Sequence, residues 1–280
     1  MSFDPRLPRD DVNVSKTHPL AEAWWLVVGA AAAGLVLTVV ALALSDAAVR
    51  WLPPSLEARL FGGLVEAGAA EPPDHARAAA ARDVLARLSS HWPENPYELQ
   101  LSVLDSDTPN AFALPGGSVV VTRGLLDQAE SENELAFVLG HEIGHFAGRH
   151  HLQAIGRALA LSLTLSAVFG SVGADAVPRL TSDLASKGYA RRQERAADRF
   201  GLGLVEREYG HVAGADRFFA RLPDAKARFG DRAVAWFVTH PVTEQRIAAL
   251  HRFAQERGWR ESGPLTPLAP LDPRAPAAVP

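Results

Sequence analysis

The run from Trp24 to Leu44, WWLVVGAAAAGLVLTVVALAL, holds 21 residues without a charge. As a helix it covers about 31 Å at 1.5 Å per residue, the thickness of a bilayer's hydrocarbon layer. Trp24 and Trp25 stand at one end, where indole rings favour the headgroup interface, and Asp46, Arg50 and Trp51 mark the other. This predicts one N-terminal transmembrane helix over residues 24–44, with the lipid bilayer as a partner. A cleaved signal peptide is the rival reading, kept open by Ala41-Leu42-Ala43; its apolar region is normally about 7–15 residues. Arg6, Arg9 and Lys16 precede the run, and Arg50 and Arg59 follow it. That small excess leans towards a cytoplasmic N-terminus and an external, periplasmic C-terminal domain.

The remainder has globular composition. Of the 280 residues 48% are hydrophobic and 21% charged, which argues against wholesale disorder. The 28 basic and 32 acidic side chains leave no excess to neutralise phosphates, so no nucleic-acid partner is expected. The absence of cysteine excludes disulfides, thiol catalysis and thiolate-bound metals.

Composition shifts divide the chain into a flexible leader (1–23), the apolar helix (24–44), a Pro/Gly-rich connector (45–73), a globular domain (74–258) and a Pro-rich disordered tail (259–280). Asp74 is a plausible N-cap for a helix reaching Ser90. Tyr97, Leu99, Leu101 and Val103 alternate with polar residues and predict a strand. Asn110–Leu114 and Ser118–Thr122 flank Pro115-Gly116-Gly117 as a hairpin. Ser131 and Glu134 have capping-box spacing ahead of a helix running into the 140s. Ser186–Gly201 and Thr243–Gln255 also have helical spacing. Ala158–Phe169 is apolar but short, which favours a core helix; a segment dipping into the membrane is the alternative.

The chemistry concentrates in His141-Glu142-Ile143-Gly144-His145. Histidines four apart lie about 40° from each other on one helix face, so two imidazoles can converge on one metal. Glu142 neighbours them. Zinc lowers the pKa of a bound water to about 7, and a glutamate so placed takes its proton as the water attacks a polarised carbonyl. This is the physical content of HExxH. The motif falls within a predicted helix, as the mechanism requires. A surface pair of histidines is the bland alternative.

Two ligands need a third, and the residues leave two answers open. His141 to His151 fits HExxHxxGxxH, which would make His151 the ligand and Gly148 the bend. Metzincins also place a methionine turn beneath the metal, and this chain has no methionine after Met1. The other answer is Glu194, sharing a helix face with Asp198, which could orient a ligand histidine through its outer nitrogen. Such i,i+4 charges are also common on exposed helices.

Four features together resemble the HtpX-like, CAAX-prenyl-protease-like and OMA-like family of membrane-associated zinc peptidases (peptidase family M48). They are Asn110-Ala111-Phe112-Ala113-Leu114-Pro115-Gly116-Gly117, the His141–His145 motif, Glu194-Arg195-Ala196-Ala197-Asp198, and Thr239-His240-Pro241 followed by Arg246-Ile247. The resemblance covers about residues 75–255. It implies a gluzincin-type, zincin-like fold, mostly α with a small β-sheet. It implies one zinc ion per chain held by His141, His145 and Glu194, with Glu142 as general base and Asp198 behind the ligands. It implies that His240 lies near the cleft as an oxyanion stabiliser with Arg246 nearby, and that the strand at Asn110, Ala111, Phe112 and Ala113 pairs with an extended peptide. The expected function is a zinc endopeptidase, single-pass in a bacterial inner membrane, acting on misfolded or membrane-associated proteins. A single span departs from the multi-spanning branches and favours quality control over prenyl-protein processing. A non-catalytic chaperone or scaffold using the same cleft is the alternative; an intact Glu142 argues against it.

Overall fold

The computed structural model describes residues 18–57, 59–61, 76–169, 191–221, 240 and 244–268. The first 17 residues, residues 58 and 62–73 of the connector, Asp74, Thr239, Pro241 and the last 12 residues lie outside this set.

Helix α1 runs from Pro19 to Trp51, 33 residues, past both ends of the uncharged run. His18 caps it by accepting from the Leu20 amide, and Pro19 sits at the first turn, where no amide partner is lost. Residues 45–51, placed in the connector on sequence grounds, continue the helix because nothing in Ser45–Trp51 breaks it; the stop comes at Pro53-Pro54. Among the described residues α1 is the one helix long and apolar enough to cross a membrane.

The domain begins with α2 (Ala76–Ser90) and a three-stranded sheet: β1 (Gln100–Leu104), β2 (Ala111–Leu114) and β3 (Ser118–Thr122). The order is β1-β3-β2, with β3 central, parallel to β1 and antiparallel to β2. Val119, Val120 and Val121 suit that central position, because β-branched side chains pack on both faces. β1 starts three residues later than the alternation predicts. Tyr97 is held by a turn in which its amide donates to Asn95, and the ladder begins only at Gln100 opposite Ser118. Gly117 has φ +96°, and a Cβ there would lie 2.7 Å from the Glu98 carbonyl, so the hairpin turn requires glycine. Thr122 ends β3 and caps α3 (Arg123–Gln128).

Helix α4 spans Glu132–Ala147. Ser131 accepts from the Glu134 amide, while the Glu134 carboxylate reaches the Glu130 amide rather than that of Ser131, so the box closes one residue early. Gly148 and Arg149 (φ 51°) interrupt the helix, and α5 resumes at His150 and runs to Phe169. The expected helix over Ala158–Phe169 buries one face, with Ala158, Ala160, Ser162 and Thr164, and exposes the other. Leu159 is 55% exposed and Leu163 70%, and the helix lies against α1. Helices α6 (Arg191–Tyr209) and α7 (Glu244–Arg257) complete the fold.

Residues 259–268 are extended but docked, which corrects the disordered tail for that stretch. Thr266 accepts from the Glu132 amide and donates its own amide to Asn133, occupying an otherwise orphan donor at the α4 N-terminus. Local composition could not reveal partners more than a hundred residues away.

Glu57, fully buried just after α1, ties four segments together. Its carboxylate accepts from the Tyr97 hydroxyl (3.1 Å), the Gly116 amide (3.0 Å), Arg149 (3.2 Å) and His151 Nε2 (2.8 Å). Burial pushes this carboxyl up, but the hydrogen bonds from His151, Gly116 and Arg149 outweigh it and hold the group below its ordinary value. Glu57→Ala should cost about 1–3 kcal/mol, because it leaves the partly exposed Arg149 and three further donors without their acceptor. Thermal unfolding of the full-length protein measures this. An unchanged Tm would mean the cluster contributes no net stability.

Candidate metal centre

The domain's centre is the crossing of α4 and α6, which small residues bring backbone to backbone. A Cβ at Gly144 would lie 2.7 Å from Ala197 Cα, and one at Gly201 would lie 2.6 Å from the His141 amide nitrogen. Glu194, Ala197, Asp198 and Gly201 share one face of α6 by their spacing of three and four. His141 and His145 share the facing side of α4. The close approach therefore delivers Glu194 and Asp198 to the two histidines. Sequence reading passed over this, although the small residues at 140, 144, 197 and 201 repeat at fours and carried a legible signal. Gly144→Ala should destabilise the fold by about 1–3 kcal/mol through overpacking. It should also weaken metal binding, which chemical denaturation and metal analysis would read together. Full stability would show that the helices can part freely.

Ligand atoms of His141, His145, Glu194 and His240 lie within 4.8 Å of one another, all buried. His145 Nε2 is 3.0 Å from His141 Nε2, which is 3.1 Å from His240 Nδ1. Glu194 Oε1 lies 3.1 Å from His240 Nδ1 and 3.4 Å from His145 Nε2; its Oε2 is 3.6 Å from His141 Nε2. Tetrahedral bonds of about 2.0–2.1 Å put donors about 3.3 Å apart, so these spacings fit a small divalent cation such as zinc. Converging imidazole lone pairs and a carboxylate in a buried space are the donor set such a cation satisfies.

The outer atoms of the ligands are held. His141 Nδ1 lies 3.0 Å from Asp198 Oδ1. Arg246 grips Asp198 through Nε (2.6 Å) and Nη2 (2.7 Å), and its Nη1 lies 2.7 Å from Glu194 Oε2. Arg246, expected near the cleft, is thus engaged by two carboxylates behind the ligands. His145 Nδ1 faces His150 Nδ1 at 3.0 Å, a partner that sequence reading missed. Burial lowers His150 to about 4, which favours a neutral ring, and its contact with Nδ1 leaves His145 Nε2 facing the cluster. Burial likewise holds His145 well below its ordinary value. Burial raises the carboxyls of Glu194 and Asp198. Hydrogen bonds from His145 and His240 outweigh it at Glu194, and those from Arg246 and His141 at Asp198, so both end below their usual range.

Glu142 is fully buried beside the cluster, 3.7 Å from His240 Nε2. Burial pushes its carboxyl up. The Ala113 amide lies near enough to favour the charged form, yet neither carboxylate oxygen has a hydrogen-bond partner of normal geometry among the described residues. The candidate substrate strand is β2 with the preceding Asn110; it is an edge strand and packs beside α4. His151 is not in the cluster. Its Nε2 is bound to Glu57, and α5 resumes at once after Arg149 instead of turning back.

A buried HExxH helix, a carboxylate donated by a second helix and a small sheet beside them define a zincin-like metallopeptidase domain. The chain belongs to peptidase family M48, whose family model matches residues 75–254. The mitochondrial metalloendopeptidase OMA1 of Schizosaccharomyces pombe is 31% identical over 177 residues, 62% of this chain and 52% of that protein. The beta-barrel assembly-enhancing protease of Escherichia coli K12 is 31% identical over 182 residues, 61% of this chain and 37% of that protein. The mitochondrial metalloendopeptidase OMA1 of Homo sapiens is 28% identical over 217 residues, 71% of this chain and 41% of that protein. The chain spans about half or less of the length of these relatives.

Proposed function

We propose that this chain is a membrane-anchored, zinc-dependent endopeptidase of protein quality control, acting on misfolded or membrane-associated proteins. The observation that carries the reading is the buried carboxylate of Glu142, without a hydrogen bond of normal geometry among the described residues, beside four converging metal donors. Zinc, when bound, supplies a Lewis acid and lowers the pKa of a coordinated water to about 7. Glu142 would take up the proton, and burial, which raises its carboxyl, favours the protonated form. His141, His145 and Glu194 hold the ion, while Asp198 and Arg246 hold His141 and Glu194 in place. A hydrolytic site keeps one position for water, whereas four protein donors fill a tetrahedron. We assign His240 the exchangeable place, because it alone of the four lies outside a helix. An extended substrate pairs with the free edge of β2 through the backbone of Asn110, Ala111, Phe112 and Ala113. The relatives named as a mitochondrial metalloendopeptidase and a beta-barrel assembly-enhancing protease accord with membrane-linked substrates, and the excess of Arg6, Arg9 and Lys16 over Arg50 and Arg59 favours a domain outside the cytoplasm.

Casein-type proteolysis by the purified full-length protein should vanish with a chelator and return with one equivalent of zinc. Activity that survives exhaustive metal removal would sink this reading. Chelation-insensitive suppression of aggregation without cleavage would favour the scaffold alternative.

A further inference from the structure

The partner of α1 in this fold is α5, the helix that begins beside the metal centre. Between residues 18 and 33 every position of α1 is exposed. From Gly34 onwards a stripe is half-buried or buried: Gly34, Thr38, Ala41, Ser45 and Val49, at spacings of four, three, four and four. Gly156 of α5 sits against Ser45 and Val49, and Arg157 forms a two-bond ion pair with Asp46 at 3.0 Å. The contact thus starts at Val49 near the head of α5 and ends at Gly34, so the two helices run antiparallel.

This pairing sets depths. Gly34 lies ten residues inside the uncharged run from its end at Leu44, which is about 15 Å, or half of a 30 Å hydrocarbon layer. From Arg157 to Phe169 is twelve residues, about 18 Å, and from Asp46 back to Gly34 is the same. The two measures agree: when α1 spans the bilayer, Phe169 reaches its middle. The chemistry of α5 matches that placement. No charge occurs between Ala158 and Phe169, and Leu159 and Leu163 point outward. The hydroxyls of Thr38 and Thr164 are satisfied within their own helices, by Gly34 and Ala160 carbonyls at 2.8 Å, which suits a medium without water, whereas those of Ser45 and Ser162 make no hydrogen bond among the described residues. The Asp46–Arg157 pair marks the level where water begins.

We infer that α5 enters the bilayer beside α1 as far as its midplane, and so fixes the metal centre at the membrane surface. His150 stands seven residues above Arg157, about 10 Å along the axis, and touches His145. The peptide bonds in reach are therefore those of segments emerging from the bilayer or lying on it. This deepens the proposed function and rests on its reading of α1 as a membrane anchor.

The absence of cysteine makes a direct test possible. Full-length Leu163→Cys, Val36→Cys and Asp83→Cys proteins in phosphatidylcholine nanodiscs would be reacted with a charged maleimide. SDS-denatured samples would give the full thiol count. Asp83→Cys, on the exposed face of α2, is the aqueous reference; Val36→Cys reports the anchor. The expected result is that Leu163→Cys reacts at least tenfold more slowly than Asp83→Cys, as Val36→Cys does. Bimane attached at position 163 before reconstitution should be quenched by lipids brominated mid-chain. Fast labelling of Leu163→Cys with Val36→Cys protected would overturn the inference while leaving the anchor intact. Fast labelling of both would overturn the anchor reading as well. Slow labelling without quenching would mean that protein, not lipid, shields α5, and would also overturn it.

Discussion

Glu142→Gln is expected to keep its full zinc complement and to lose turnover by about 10²–10⁴-fold, the usual effect of removing a positioned general base. The amide preserves the shape of the buried side chain, so the four donors nearby stay where they are. What it loses is the capacity to accept a proton. Because neither oxygen of Glu142 makes a hydrogen bond of normal geometry among the described residues, the substitution disturbs only the nearby Ala113 amide and the 3.7 Å approach of His240 Nε2, and a Tm reads that separately from the chemistry. Metal analysis, a Tm and a kcat on the same preparation separate the two. Near-normal kcat in the zinc-loaded variant would remove Glu142 from the mechanism.

Glu194→Ala is expected to lose most of its zinc and all measurable activity, whereas His151→Ala keeps one zinc per chain. Glu194 contributes both oxygens to the cluster, and its removal also leaves one nitrogen of the buried Arg246 guanidinium without its carboxylate. His151 acts elsewhere: its loss takes one donor from the buried Glu57 carboxylate, so His151→Ala should cost about 1–3 kcal/mol of stability instead. Asp198→Ala should fall between them, at about 10–100-fold in metal affinity, because it orients His141 without binding. Zinc retained in Glu194→Ala and lost in His151→Ala would return the third-ligand role to His151.

The local features were legible because their causes are local. Nearest-neighbour periodicity sets the alternation of the β2–β3 hairpin and the need for glycine at its turn. Hydroxyl-to-amide reach over three residues sets the Ser131 cap. Helical rotation sets His141 and His145 on one side, and the apolar run between Trp24 and Leu44 announces a membrane-length helix without any contact. Glu194 and Asp198 could be nominated, but spacing alone could not tell a buried ligand pair from solvated helix charges. Burial is what distinguishes them, and burial comes from α6 crossing α4 at Gly144 and Gly201. Other features depend on contacts between segments far apart in the chain. They include His150 behind His145, the carboxylates that engage Arg246, the capture of His151 by Glu57 and the docking of residues 259–268 on α4. The pairing of α1 with α5 belongs with them, since over a hundred residues separate Asp46 from Arg157. A polar side chain carries no mark of which distant partner will satisfy it. Only packing, which excludes water and forces each buried charge to find a counterpart, decides that.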